Sequence, residues 1–434
     1  MGIFSLFGGK KGEDDAAKAE QELAVKKEKT IEEIKEAHAD LSWPVIQKIN
    51  PVNAKGTEEV LMDETVSDER KDEIGPYIYE EEISADIIKS LSSQELLFLL
   101  TALEMYHKKS PLPGFEKNHR NIYNEVLGRV RDAEYLYVLY DAATGYPFID
   151  HGFGNVYLEE EIANKAVELF AKQFRRLVVR KCKVENDQLP ANVKRGFFDY
   201  LYYIGIDNLV VDNGAYRARF KRTEIVASPM DWNNDKKDTS PVNPALNFAM
   251  LDFLGEVKWP VNYEKRPEIV KAKEMRMISL IRSGSFIVPM QHEGPVETTE
   301  DGRMKMGKDT KIKFLIVKDP NGKQFLPIYT DAIEFTKKLA GPEWNAAVFK
   351  YQDILKFVQD KDGISINPAG QGIMIPKDRM MAIEMAGQQV EAMKAAAKAA
   401  GAKGAAKGAT SGNPEDDIVK SALNQAMAEL NSNK

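Results

Sequence analysis

A chain of 434 residues, 43% hydrophobic and 9% aromatic, exceeds what one compact core usually organises and points to two domains with extensions. Its 67 acidic against 60 basic residues leave a net charge of -7, which favours solubility and gives no general reason to expect a nucleic-acid partner. One cysteine, Cys182, excludes an internal disulfide framework, and no run approaches the roughly 20 apolar residues that cross a bilayer.

The opening MGIFSLFGGKKGEDD has too short an apolar stretch for a secretory signal, and its lysines follow that stretch instead of preceding it. Leu6 stands where a myristoylation signal has Ser or Thr, so a bacterial-type cytoplasmic protein is expected. Ile3, Phe4, Leu6 and Phe7 beside Lys10 and Lys11 would give only a weak peripheral contact with a membrane or partner; a frayed terminus is the plainer reading. Ala, Glu and Lys over 13–40 favour a helix with a thin apolar stripe, followed by acidic, turn-prone sequence to about residue 75. Ser92 or Ser93 caps the next helix, whose Leu96, Leu97, Leu99, Leu100 and Leu103 form a broad apolar face.

Two stretches then run through the same order of elements: hairpin, helix, strand, helix, strand. The first is AEYLYVLYD, AATG, YPFID, the helix EEEIANKAVELFAKQF, RRLVVRKC, FFDYLYYIGID and NLVVDNG. The second is KIKFLIVKD, PNG, KQFLPIYT, the helix DAIEFTKKL, NAAVFK, YQDILKFVQDKD and GISINPAG. Asp141 to Gly145 and Asp319 to Gly322 supply the tight turns, because Asp bonds its own backbone and Gly tolerates positive φ. The fold class is therefore α+β: two tandem diverged modules, each a mixed β-sheet packed with helices, plus helical N- and C-terminal extensions. The expected boundaries are 1–75 for the N-terminal extension, 76–227 for the first module, 228–242 for a linker and 243–379 for the second module. An Ala/Gly-rich tether over 380–412 and an amphipathic helix over 413–434 complete the chain. Asn413, Pro414 and an acidic first turn start that last helix, and Ile418, Leu423 and Met427 stripe it. It serves equally as a docking element for a partner or as an intramolecular lid.

The second copy resembles the SseB family domain, named for enhanced serine sensitivity, through NPALNFAMLDFL, FIVPM, KFLIVKDPNGKQFLPIYTD and GISINPAG over roughly 243–376. The resemblance implies a small cytoplasmic α+β domain without an assigned chemistry. The first copy, over about 90–225, departs from it. Val211, Asp212, Asn213 and Gly214 replace the Asn367-Pro368 ending, and Pro147 sits near the position of Pro327.

Chemistry-bearing patterns are sparse. Asp150 and His151 in FIDHGFGN form the most site-like cluster, but the second copy has Thr330 and Asp331 in the matching place and no histidine, so no duplicated site supports it; Asp150, His151, Asn367 and Pro368 are the candidate ligand site. Five dispersed histidines show no metal-binding spacing, phosphate-loop motifs are absent, and no cofactor is expected. Cys182 among Arg180, Lys181 and Lys183 would be a thiolate if exposed, or a core residue if turned inward. Arg175, Arg176 and Arg180, with Arg217 and Arg219, would make one patch for an acidic partner if folding joined them. Tyr202, Tyr203, Tyr216 and Phe220 nearby would be base-stacking rings or core. A solvated surface is the plainer reading of the charges. The expectation is a non-enzymatic protein-interaction adaptor with an unidentified protein partner and room for self-association. A small-ligand sensor is the second reading and an enzyme the third; a secretion-accessory role is a weaker variant of the adaptor.

Overall fold

The computed structural model describes residues 31–46, 63–185, 196–229, 240–298, 304–306, 309–339, 341 and 343–401. The N-terminal apolar stretch, residues 402–412 of the expected 380–412 tether, and Ile418, Leu423 and Met427 lie outside the described residues.

Helix α1 (31–37) leads through a loop to α2 (Asp68–Ile74), a 3-10 turn (Gly75–Tyr79), α3 (Ala85–Ser90), α4 (Ser93–Lys109) and α5 (Phe115–Arg131). Ser92 caps α4 in a reciprocal box with Glu95, satisfying two of the helix's free N–H groups. The segment expected as a linker up to residue 75 is partly core. Ile46, Val66 and Ile74 are buried with α4, and the Tyr216 hydroxyl donates to the Pro44 carbonyl at 2.6 Å. Its acidic composition hid this, since the few apolar residues are widely spaced and meet their partners only in the fold.

The first sheet contains β1 (Tyr135–Asp141), β2 (Ile149–Asp150), β3 (Phe153–Tyr157), β4 (Leu177–Lys183), β5 (Asn208–Val211) and β6 (Ala218–Lys221). Helices α6 (Glu160–Ala171) and α7 (Phe197–Tyr203) connect its strands, and α8 (Arg222–Ile225) follows β6. The spatial order is β4-β1-β3-β5-β6, with β3 and β5 parallel and the other neighbours antiparallel.

The second half opens with α9 (Pro244–Val257) and α10 (Arg266–Ser283), then β7 (Ser285–Glu293), β8 (Val296–Thr298), β9 (Met304–Met306), β10 (Lys311–Phe314), β11 (Val317–Lys318) and β12 (Gln324–Ile328). It continues through α11 (Ala332–Thr336), β13 (Asn345–Lys350), α12 (Tyr351–Phe357), β14 (Gly363–Ile366), β15 (Ile373–Pro376) and α13 (Lys377–Gly401). β7 pairs antiparallel with β13 on one side; on the other it pairs with β10 and bridges from Ile287 to Tyr329 just after β12. β12 then runs parallel to β14, and β15 closes the edge antiparallel. The resulting order, β13-β7-β12-β14-β15, has the same pairing senses as the first sheet.

This arrangement corrects the strand correspondence expected from sequence. The counterpart of β1 is β7, with Phe286, Ile287, Val288 and Met290 buried, not the strand KIKF, which is the added β10. Both candidates are apolar strands upstream of an Asp turn, so local composition does not separate them. The register also places Pro327 opposite Ser365 as Asn155 lies opposite Val210, and puts Thr330 and Asp331 in the place of Leu158 and Glu159. Pro147 and the Asp150-His151 pair have other counterparts. The turns themselves form as expected: Asp141 Oδ1 accepts from Ala143 N, and Asp319 Oδ1 from Asn321 N.

Helix α9 belongs to both halves. Leu246, Ala249 and Met250 enter the second core, while Leu251 is buried in the first and Phe248 packs against it. Apolar residues on all sides require such burial, since a helix without a polar face has none to give to water. Its N-terminus meets the end of α7 at Gly205, where φ is 76° and a Cβ would stand 2.0 Å from the Pro244 carbonyl oxygen. Gly205→Ala is expected to destabilise the protein by about 3 kcal/mol or more, through strain plus a backbone clash. Gly152→Ala, also at positive φ but facing open space, should cost only about 1 kcal/mol. Urea unfolding of the two variants checks the difference; equal losses would mean that the junction yields.

Candidate functional site

At the end of each parallel strand pair sits a fully buried polar residue with positive φ: Asp212 (φ 56°) after β5 and Asn367 (φ 47°) after β14. Asp212 N donates to Val156 O and Asn367 N to Ile328 O, each at 2.9 Å. Each side chain accepts from the backbone of the neighbouring chain: Asp212 Oδ1 from Leu158 N (3.1 Å) and Asn367 Oδ1 from Thr330 N (3.0 Å). The remaining atom differs because its partners differ. Gln94 Nε2, on α4, donates to Asp212 Oδ2 at 2.8 Å, and that amide is held the right way round by Tyr216 N and Thr65 Oγ1 donating to Gln94 Oε1. Asn367 Nδ2 instead faces acceptors, Gln371 Oε1 (2.8 Å), Thr330 Oγ1 (2.9 Å) and Asn247 Oδ1 on α9 (3.3 Å). A donor facing the site calls for a carboxyl; acceptors call for an amide.

Asn367 thus joins a buried polar cluster at the seam between the halves. Asn247 Nδ2 donates to Tyr203 O (2.8 Å) and Asp331 Oδ2 (3.0 Å), and Asn243 Nδ2 to Ser285 O and Thr330 O. Beside them Glu334 is buried, with Lys337 Nζ donating to its Oε1 at 2.6 Å and the Tyr146 hydroxyl reaching it from the first half at 3.4 Å. Burial pushes the Glu334 carboxyl above its usual range despite the Lys337 ammonium, and burial with the Glu334 charge raises the Tyr146 phenol.

The residues singled out from sequence are dispersed. His151 bonds Asp150 at 2.8 Å, but its side chain is 92% exposed. Asp150 accepts from Asn213 Nδ2, and Arg217 donates to Asn213 Oδ1 at 2.8 Å, so part of the expected basic cluster braces this loop. Asp150 and His151 belong to the first half; Asn367 and the half-buried Pro368 belong to the second. The two basic clusters occupy opposite edges of one sheet, β4 and β6, about 19 Å apart at the usual strand spacing. Arg176, Arg180 and Arg219 are exposed, with Arg180 over the Tyr140 ring and Arg219 over Phe153. Arg222 is buried on Asp207, and Tyr216 and Phe220 are core. Arg175 stacks 3.8 Å over Trp259 and donates to the Gly255 carbonyl, which binds the two halves together. Cys182 is half-buried, and burial pushes its thiol up, against the thiolate that neighbouring charges suggested.

Sequence reasoning missed an apolar recess in the second half. Helix α13 was expected to fade into a tether from residue 380. Instead its first turns are buried through Met380 and Ile383, and Tyr351 donates to the Met380 carbonyl. Arg282 on α10 seats against Gly387 and forks onto Glu384 (3.1 and 3.2 Å) while also bonding Glu391 at 2.6 Å. So anchored, α13 forms a groove of about 330 Å³ with α12, lined by Leu355, Val358, Met380, Met381 and Met385. Met381 and Met385, one turn apart, are 45% and 54% exposed, and Met374 on the neighbouring strand is 44% exposed. The spacing of Met381 and Met385 was readable; only the position of α12 shows that it borders a recess.

Asp212 provides a pH test of the first cluster. Burial pushes its carboxyl up to about 7, above the usual carboxyl value near 4. The stabilisation from keeping it neutral is fully present below about pH 4 and lost as pH rises through about 7. Asp212→Asn turns a donor toward Gln94 and should cost about 1–3 kcal/mol near pH 4.5. By pH 8 wild type should have lost roughly 2–4 kcal/mol relative to the variant, which closes or reverses the gap, because the variant has no carboxyl to ionise. Denaturant unfolding at both pH values measures it; a constant gap would refute the raised value.

Among the described residues no helix is long and apolar enough to cross a membrane. No curated protein and no solved structure matches the chain. Residues 268–400 match the family model described as SseB protein N-terminal domain, a span running from within α10 to the end of α13. That span excludes α9, which the sequence resemblance included, and takes in the α13 helix, which it left out. Residues 268–400 are therefore similar to the SseB N-terminal domain.

Proposed function

We propose that the protein is a cytoplasmic, non-enzymatic adaptor built from two copies of one SseB-type module, with the groove between α12 and α13 as its docking surface. The observation that carries this reading is the pair of exposed methionines, Met381 and Met385, over an apolar recess of about 330 Å³. Methionine side chains are flexible and polarisable, and they adapt to the apolar face of an incoming helix. The matching partner is an amphipathic helical segment with apolar residues at three- and four-residue spacing. The shared strand order supports two copies of one module, and the internally bonded Asp212 and Asn367 clusters support bracing roles.

A small-ligand sensor is the second reading, favoured by one observation. Glu334 Oε2 and Gln371 Nε2 are buried without a hydrogen-bond partner among the described residues, both close to the Asn367 turn. A ligand there would pair with an acceptor and a donor together, and would raise the unfolding temperature of the whole chain.

Replacing both methionines, Met381→Glu and Met385→Glu, should abolish capture of a stoichiometric protein partner while changing thermal stability little. Quantitative affinity capture against wild type reads this out. A partner retained by the double variant, or lost instead on changing Arg176 and Arg180, would move the docking surface elsewhere.

A further inference from the structure

We infer that the same groove is occupied in cis by this chain's own residues 413–434. This rests on the groove being a helix-docking surface and names its resting occupant. Helix α13 is described to Gly401, and the chain continues to Lys434. Within that stretch Ile418, Ala422, Ala426 and Leu430 recur every four residues, with Leu423 and Met427 alongside, which makes one continuous apolar stripe on a helix. Asn413 and Pro414 provide its start signal.

Length favours a return onto α13. From Met385 to Gly401 the helix rises about 24 Å, and residues 414–430 in helical form span about the same. Residues 402–412, with Gly404, Gly408 and Gly412, reach up to about 36 Å when extended, ample for reversing direction. An antiparallel return therefore lays the stripe along α13 and brings Leu430 to the level of Met385. Ala422 and Ala426 allow close approach of the two helices, while Leu430, with Met427 one turn before it, has the bulk to enter between Leu355, Val358, Met381 and Met385. Tethering also favours this segment over one on another molecule, because a short connection within one chain holds it at an effective concentration of about millimolar.

Hydrogen exchange on the full chain tests the inference. Amides of 415–430 should exchange at least about tenfold slower than in an unstructured peptide of the same sequence. The Met381→Glu, Met385→Glu variant should lose that protection and keep wild-type exchange in β12 and β14. Unprotected amides in wild type would overturn the inference, as would protection that survives the double substitution. Protection that disappears on hundredfold dilution would also overturn it, by assigning the groove to a second copy. The docking reading is separable. A groove-dependent partner with freely exchanging 415–430 would leave that reading standing and remove only the cis occupant. Groove-dependent protection of 415–430 without any captured partner would do the reverse.

Discussion

The architecture depends on one helix that neither half can bury alone. Along α9, Leu246, Ala249 and Met250 face one core while Phe248 and Leu251 face the other. Withdrawing it from either side would expose several large apolar side chains, each worth roughly 1.5–3 kcal/mol of burial. The polar contacts around it follow from that placement. Asn243 and Asn247 near its start bond backbone and side-chain groups of both halves, and past its end Lys258 Nζ donates to Ala143 O and Trp259 Nε1 to Gln173 O. Arg175 stacked on Trp259 completes this end of the seam. The halves thus make one body joined along α9, with polar ties at both ends of an apolar middle.

Because α4 and α9 each approach the end of a parallel strand pair, each brings an amide to a buried turn. Position and backbone geometry are the same in the two halves, yet the chemistry is inverted: Gln94 offers hydrogens where Asn247 offers oxygen. Asp212 and Asn367 are the matching replies. A buried carboxyl without a cation beside it is the less economical solution, since ionisation in that site has only dipoles to offset it. Asn367 avoids the problem, and its helix supplies a tie across the seam as well. The difference between the VDNG and INPAG endings is therefore one of hydrogen-bond partners. It reflects two ways of satisfying one turn.

Local chemistry in the chain was legible where the determinants were local. The Ser92 cap, the Asp141 and Asp319 turns and the order of helices and strands all follow from residues within a few positions of one another. Features set by distant partners were not. Arg175 and Arg176 are neighbours with the same side chain, but Trp259 claims only the first. The second basic cluster reads as adjacent in composition, while strand order separates it from the first by the width of the sheet. The start of α13 looked unburied because most of its apolar residues are Met and Ala, and its importance rests on Arg282, a residue about a hundred positions earlier. In the same way β10 imitates β1 in composition, and only pairing reveals β7 as its true counterpart.

The contrast between the two polar clusters and the groove bears on function through the cost of opening each. Ligand entry at Asn367 would require displacing Gln371, Thr330 or Asn247 from hydrogen bonds of 2.8–3.3 Å, leaving buried groups unpaired until the ligand replaced them. Glu334 lies against Gly370, where a methyl group would already meet its Oε2 at 2.3 Å. The groove needs no such exchange. Leu355, Val358, Met381 and Met385 forfeit no side-chain hydrogen bond when covered, with Gln359, Lys377 and Glu384 as the polar part of the lining; Met381 and Met385 already project into solvent, and covering them removes apolar area from water. Arg282 holds the α13 side of the recess against α10 through two carboxylates, so the surface is formed before anything binds. A preformed apolar recess bordered by adaptable side chains favours association with a helix face. A sealed polar cluster favours rigidity, and this chain uses each where its chemistry fits.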